Sequence, residues 1–273
     1  FAGTYPQQIT LPAALRDLFL KTGDAFENHV TLTECDIAYH VELNNKKIAI
    51  PGFGVGAVSL AIREALGESA GHKWDSYIRT SRNYWETIHK HLEDYPKFVE
   101  NLESMSRRKF FRKPHQLKDQ RLISIRHSHP LRSSAASQLA DLIPYLSATF
   151  GIYQIAGGIP TIVNALIQRC HALGVEFHTG EKVDAIDIAG SSIVINIESQ
   201  SITAQALIVA TFEGAACDVL RQFAVPAHDA DFDMATTHPL VYVVGSLTYP
   251  GKGLPFEVLS GSMVANLITA QSM

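Results

Sequence analysis

The stretch from His238 to Gly261 constrains the fold more than any other. It reads His238-Pro239-Leu240-Val241-Tyr242-Val243-Val244-Gly245, then Ser246-Leu247-Thr248-Tyr249-Pro250-Gly251-Lys252-Gly253-Leu254-Pro255, then Phe256-Glu257-Val258-Leu259-Ser260-Gly261. An apolar run that ends on glycine, a loop rich in Pro and Gly, and a helical pattern form a strand, a bare turn and a helix. Glycine lets backbone approach a bulky polar ligand. The helix expected from about Phe256 would aim its free N–H groups and positive dipole end over the loop.

The remainder alternates between strand and helix signals. Residues 28 to 50 alternate with period two through Val30, Leu32, Tyr39, Val41, Leu43, Ile48 and Ile50, and Asn44-Asn45 predicts a hairpin turn. From Val58 to Leu102 the spacing becomes helical, with Val58, Ala61, Ile62, Ala65 and Leu66 on one stripe and Ile78, Trp85, Ile88 and Leu92 on another. Leu139 to Ile155 is apolar but broken by Asp141, Pro144 and Gly151, which predicts a buried element and not a membrane span. A helix is expected after Gly158, with Pro160 in its first turn, an apolar face from Ile159 to Leu173, and Gly174 as its stop. Four strands should follow, over Val175 to Thr179, Lys182 to Ala189, Ser192 to Glu198 and Ser201 to Ala210, with turns at 189–191 and 199–200. The pattern by itself gives a mixed α and β fold.

Taken together, these segments resemble the phytoene desaturase branch of the FAD-dependent amine oxidoreductases. Three stretches carry the resemblance in the family's own order: Thr10 to Gly23, Phe150 to Ile186 around Gly157-Gly158, and the C-terminal stretch above. The resemblance implies an α/β (mixed α+β) chain containing a partial FAD-binding Rossmann-like domain and a helical substrate lobe. Residues 1–50 would follow a nucleotide-binding unit, 51–150 would form the lobe, and 151–273 would be the remainder of the FAD-binding domain. The family's opening strand, glycine-rich turn and helix have no counterpart after Phe1, and Thr211 to His238 is shorter than the family's substrate segment. A fragment is therefore the expectation.

The cofactor implied is FAD. Gly245, Ser246, Gly253, Leu254 and Pro255 fall on the family's loop over the flavin ring, Gly157 and Gly158 on its double glycine near the flavin, and Val183 on a backbone contact to the adenosine. The activity implied for the intact enzyme is a phytoene dehydrogenase or desaturase, forming double bonds in a carotenoid precursor by hydride transfer to flavin. Its partner would be an apolar polyene or other lipid-like substrate held by the shape of an apolar tunnel, with peripheral membrane contact following from that substrate. The alternatives are another FAD-dependent oxidoreductase or carotenoid isomerase of the same family, or a non-catalytic lipid-binding or interaction module. No catalytic acid or base stands out by spacing, and the oligomeric state is not legible.

Other motifs favour plainer explanations. Gly52-Phe53-Gly54-Val55-Gly56 does not fit GxGxxG and lacks an acidic strand end about 20 residues on, so it reads as a turn. His89 and His91 would point to opposite sides of a helix, and His127 and His129 have no acid or cysteine at ligand spacing, so no metal is expected. The basic cluster Arg107 to Lys113 has a membrane-surface composition, but it is short and the chain is acidic, so a solvated face is preferred. The net charge of −4 gives no reason to expect nucleic acid. Cys35, Cys170 and Cys217 are odd in number and distant, which argues against a disulfide framework and for a reducing cytoplasm.

Overall fold

The computed structural model describes residues 7–43, 45–89, 117–129, 142–190, 192–197, 200–211, 238–245 and 254–271. In chain order its elements are β1 (Gln8–Thr10), α1 (Ala13–Lys21), a 3₁₀ turn (Phe26–Asn28), β2 (Leu32–Glu34), β3 (Ile37–Leu43) and β4 (Lys46–Pro51). Then come α2 (Val55–Leu66), α3 (Glu68–Ile88), α4 (Gln120–His127), α5 (Ile143–Phe150), β5 (Ile152–Ile155) and α6 (Ile159–Ala172). The last elements are β6 (Val183–Ala189), β7 (Ser192–Ile197), β8 (Gln200–Ala204), β9 (Leu207–Thr211), β10 (Val241–Gly245) and α7 (Leu254–Gln271). Mixed α+β is therefore the fold class.

Four small sheets carry the strands. β5 lies between β1 and β2, antiparallel to both. β3 and β4 form the predicted hairpin, with Leu43 opposite Lys46 and Asn45 at φ 61°, the left-handed region that Asn tolerates. β6, β7 and β8 make an antiparallel meander, and β9 and β10 pair in parallel.

Two strand expectations are corrected. The run from Ser201 to Ala210 is two strands: its alternating first half pairs antiparallel with β7, and the continuous apolar Leu207–Ala210 half pairs in parallel with β10. An unbroken apolar run is the usual composition of a parallel strand, although in this two-stranded pair Val209 is buried while Ile208 is 49 % exposed. Over 175–179 no strand forms. Val175 and Phe177 are exposed there, Phe177 rests on the His171 ring at 4.9 Å, and His178 sits between Glu176 and Glu181. Period-two alternation alone does not make a strand when no neighbour among the described residues supplies a ladder.

The helices form where the apolar spacing demands them. On α3, Trp74, Tyr77, Ile78, Ser81, Tyr84 and Trp85 follow a three-four spacing and are all buried. α2 folds back on α3 through a polar clasp in which Ser59 Oγ donates to Asp75 at 2.6 Å and Arg63 pairs with the same carboxylate. Gly71 makes room for that arginine, since a Cβ there would lie 2.1 Å from Arg63 Cγ. α4 is capped by Asp119, whose carboxylate accepts from the Arg121 backbone N–H and side chain and also from Lys73 on α3. α5 is buried from Ile143 to Ala148, as the interrupted apolar run predicted.

The largest apolar cluster runs from Leu11 through Val41, Ile62, Trp74, Trp85, Leu122 and Leu146 to Met263 and Val264. A second joins Ile9, Leu15, Phe19, Phe26, Ile155 and Ile162, and Val258 of α7 packs against it. A third, of Ile186, Ile193, Val209 and Val241, fastens the meander to the parallel pair. α7 thus reaches two of the three clusters.

Candidate functional site

β9 and β10 run in register and end side by side, Thr211 opposite Gly245. Gly245 sits at φ 112°, a conformation that L side chains rarely adopt, and its N–H donates to Ser260 Oγ at 3.3 Å. Ser260 is fully buried, so this bond lays α7 along the end of β10. Ser246 and Gly253 lie outside the described residues. Leu254 and Pro255 open α7, earlier than the Phe256 start expected from the pattern.

The double glycine is the turn from β5 into α6. Gly157 is exposed at φ 78°, while Gly158 is buried at φ 72° and ψ −171°. A Cβ on Gly157 would meet Thr161 Oγ1 at 2.4 Å, and one on Gly158 would meet Gln7 Oε1 at 2.7 Å. Thr161 Oγ1 also donates to the Ala156 carbonyl at 3.0 Å, which fixes the first turn of α6. Ile155 and Ile159 flank the turn and belong to the cluster on which Val258 packs, so the double glycine and the first half of α7 share one apolar support.

Val183 begins β6 opposite Ile197, just before a bulge, and is 40 % exposed. Its strand reaches β10 through Ile186 and Val241. Val258 of α7 thus packs on the cluster beside the double glycine and Ser260 of the same helix holds Gly245, while Val183 lies on a strand that packs with β10 instead.

A feature absent from the sequence reading lies on the other flank of α7. α1, the end of α3 and α7 line a half-open pocket of about 380 Å³. Leu11, Ala14, Leu18, Trp85, Val258 and Leu259 give it apolar walls, and Asp17, Lys21, His89 and Ser262 are its polar residues. Lys21 Nζ pairs with Asp17 at 2.7 Å, with both side chains about half exposed. His89 stacks on Trp85, and its Nδ1 lies 2.9 Å from the Trp85 carbonyl. A carbonyl only accepts, so that nitrogen carries the proton. Leu11 holds φ 52°, a left-handed conformation that costs about 1–2 kcal/mol for a non-glycine residue. Three sequence-distant helices build this site, and no local spacing announces it.

Elsewhere the electrostatics explain themselves locally. Hydrogen bonds from His29, Asn28 and the Ala25 N–H hold the Asp24 carboxyl down to about 2. Burial drives the His129 imidazole down to about 3 and the Tyr39 phenol well above its usual range; the two rings meet edge to face at 5.1 Å. Among the described residues no group of three or more His, Cys, Asp or Glu could hold a metal ion. Among them, too, no helix is long and apolar enough to cross a membrane.

No protein-family model matches the chain, and no curated protein matches it.

Proposed function

We propose that this chain is part of an FAD-dependent oxidoreductase of the phytoene desaturase type, acting on an apolar polyene. The observation that carries the reading is the common end of β9 and β10, where Gly245 stands beside Thr211, with α7 the next described element of the chain. Ligands of open α/β sheets bind outside the carboxyl ends of parallel strands, next to helix N-termini.

Two bare backbone positions support this reading. Gly245 offers no side chain, and Ser260 fixes its N–H. Gly157 is exposed and bare at the start of α6, where small residues let substrate and ring approach. Bound there, FAD would supply the hydride acceptor, and loss of a proton from the neighbouring carbon to solvent or a base would complete the change of a carbon–carbon single bond into a double bond. The chain's own part is to hold a hydrocarbon in place and exclude water, since such a substrate offers almost no hydrogen bonds. An apolar polyene resides in a membrane, so peripheral attachment belongs to this reading.

The test is to express the protein together with the gene sequence that precedes Phe1 and to supply phytoene. Flavin retained through purification and a product with added double bonds support the reading. A protein that purifies without flavin and leaves phytoene unchanged refutes it.

A further inference from the structure

The cavity between α1, α3 and α7 has a size, a lining and a charge balance that together select a ligand class. At about 380 Å³ it falls within the roughly 300–1,000 Å³ typical of small-molecule sites. Its walls are hydrocarbon and the Trp85 indole, so the body of any occupant is apolar. Ala13 and Ala14 leave the space open on the α1 side, where longer side chains at the same positions would fill it.

The polar lining decides the head group. Lys21 and Asp17 offset each other, so no net charge awaits a ligand. A carboxylate would gain Lys21 only by crowding Asp17, and an ammonium would meet Lys21 for the same gain. A neutral head escapes both penalties. With Nδ1 committed to the Trp85 carbonyl, His89 turns its other ring nitrogen, Nε2, to hydrogen bonding, and Ser262 lines the same pocket. The left-handed Leu11 in the wall adds an independent sign, because such strain gathers at ligand clamps.

We propose that this cavity binds a neutral single-chain amphiphile, its hydrocarbon against Leu11, Leu18 and Trp85 and its hydroxyl end against His89 and Ser262. The site does not depend on flavin.

Tryptophan fluorescence tests it directly. The chain has two tryptophans, of which Trp85 lines the cavity and Trp74 is buried outside its lining. ω-Bromoundecanol, whose bromine quenches an indole on contact, is titrated into the protein at pH 8. The expected result is saturable quenching that disappears in Trp85→Phe. Ala14→Leu should weaken binding at least tenfold, as should replacing the alcohol by ω-bromoundecanoic acid. If circular dichroism shows Ala14→Leu to be unfolded, Ala13→Phe, at an exposed position, takes its place with the same expected loss. Quenching that rises linearly without saturation, persists in Trp85→Phe, or is matched by the acid overturns the proposal. So does a folded cavity-filling variant that binds as its parent does. No flavin enters the assay, so its failure leaves the oxidoreductase reading standing, and the reverse holds equally.

Discussion

Gly158→Ala separates two reasons for a glycine at the entrance to α6. At φ 72° and ψ −171°, Gly158 occupies a region open essentially to glycine alone, and forcing another residue there costs about 1–3 kcal/mol. The new Cβ would also lie 2.7 Å from Gln7 Oε1 and 3.1 Å from its Nε2. Gln7 is exposed, so its amide can swing away at an off-rotamer cost on the order of 0.5–1.5 kcal/mol. Urea unfolding followed by far-UV circular dichroism should therefore show a loss of about 1.5–4.5 kcal/mol with the slope unchanged. In a Gln7→Ala background the steric part vanishes and only the backbone part remains. A Gly158→Ala protein within about 0.5 kcal/mol of its parent, the usual scatter for an innocuous substitution, would refute the backbone argument. A loss that Gln7→Ala fails to reduce would refute the steric one.

Other perturbations give equally definite outcomes. His129 is buried neutral with its pKa lowered to about 3, so stability is full above the ordinary value of 6.5 and falls as the pH drops toward 3. His129→Phe should flatten the stability profile over that window, and an unchanged slope in urea midpoints would contradict the burial argument. Asp24, held down to about 2 by its bonds to His29, Asn28 and the Ala25 N–H, contributes stability above 3.8 that is lost as the pH falls through 2. Asp24→Asn should lower the urea midpoint at pH 6, with the gap to the parent closing by pH 2; a constant gap would show the carboxylate bonds to be immaterial. On the oxidoreductase reading, Gly253→Leu in a longer protein that retains flavin should abolish that retention with circular dichroism unchanged, and full occupancy measured by flavin absorbance would remove the Gly251 to Pro255 loop from the proposed site. Val163 and Ile167 on α6, with Val175 and Phe177 beyond it, leave apolar side chains exposed, so sedimentation without detergent should show self-association that Val163→Lys with Ile167→Lys reduces. A clean monomer that binds no ANS would count against it.

Local chemistry made much of the fold legible. Asn45 announced the β3–β4 hairpin, and Gly158, Pro160 and Gly174 bracketed α6. What failed depended on partners. The alternation over 175–179 carries the same signal as β7, but β7 has neighbours on both sides and 175–179 has none among the described residues. The division of 201–210 into β8 and β9 required knowing that Leu207 would meet Val241, some thirty positions later. Gly157, Gly158 and Gly245 were legible as bare turns, whereas the hold of Ser260 on Gly245 and the packing of Val258 on the Ile155 cluster were not, because both act across sequence separations that no local pattern marks. The cavity was hidden for the same reason, being assembled from positions near 14, 85 and 259.

The same dependence on α7 sets a timetable for the growing polypeptide. α1 turns Leu15 and Phe19 into a cluster that Val258 helps to cover, and Leu11 belongs to a core shared with Met263 and Val264. A ribosome adding roughly 5–20 residues per second leaves these early apolar groups waiting on the order of ten seconds to a minute for their cover. Throughout that interval the nascent chain offers chaperones an uncovered helix. A stop codon placed just before Leu254 should accordingly yield insoluble protein, although most of the core residues have by then been made.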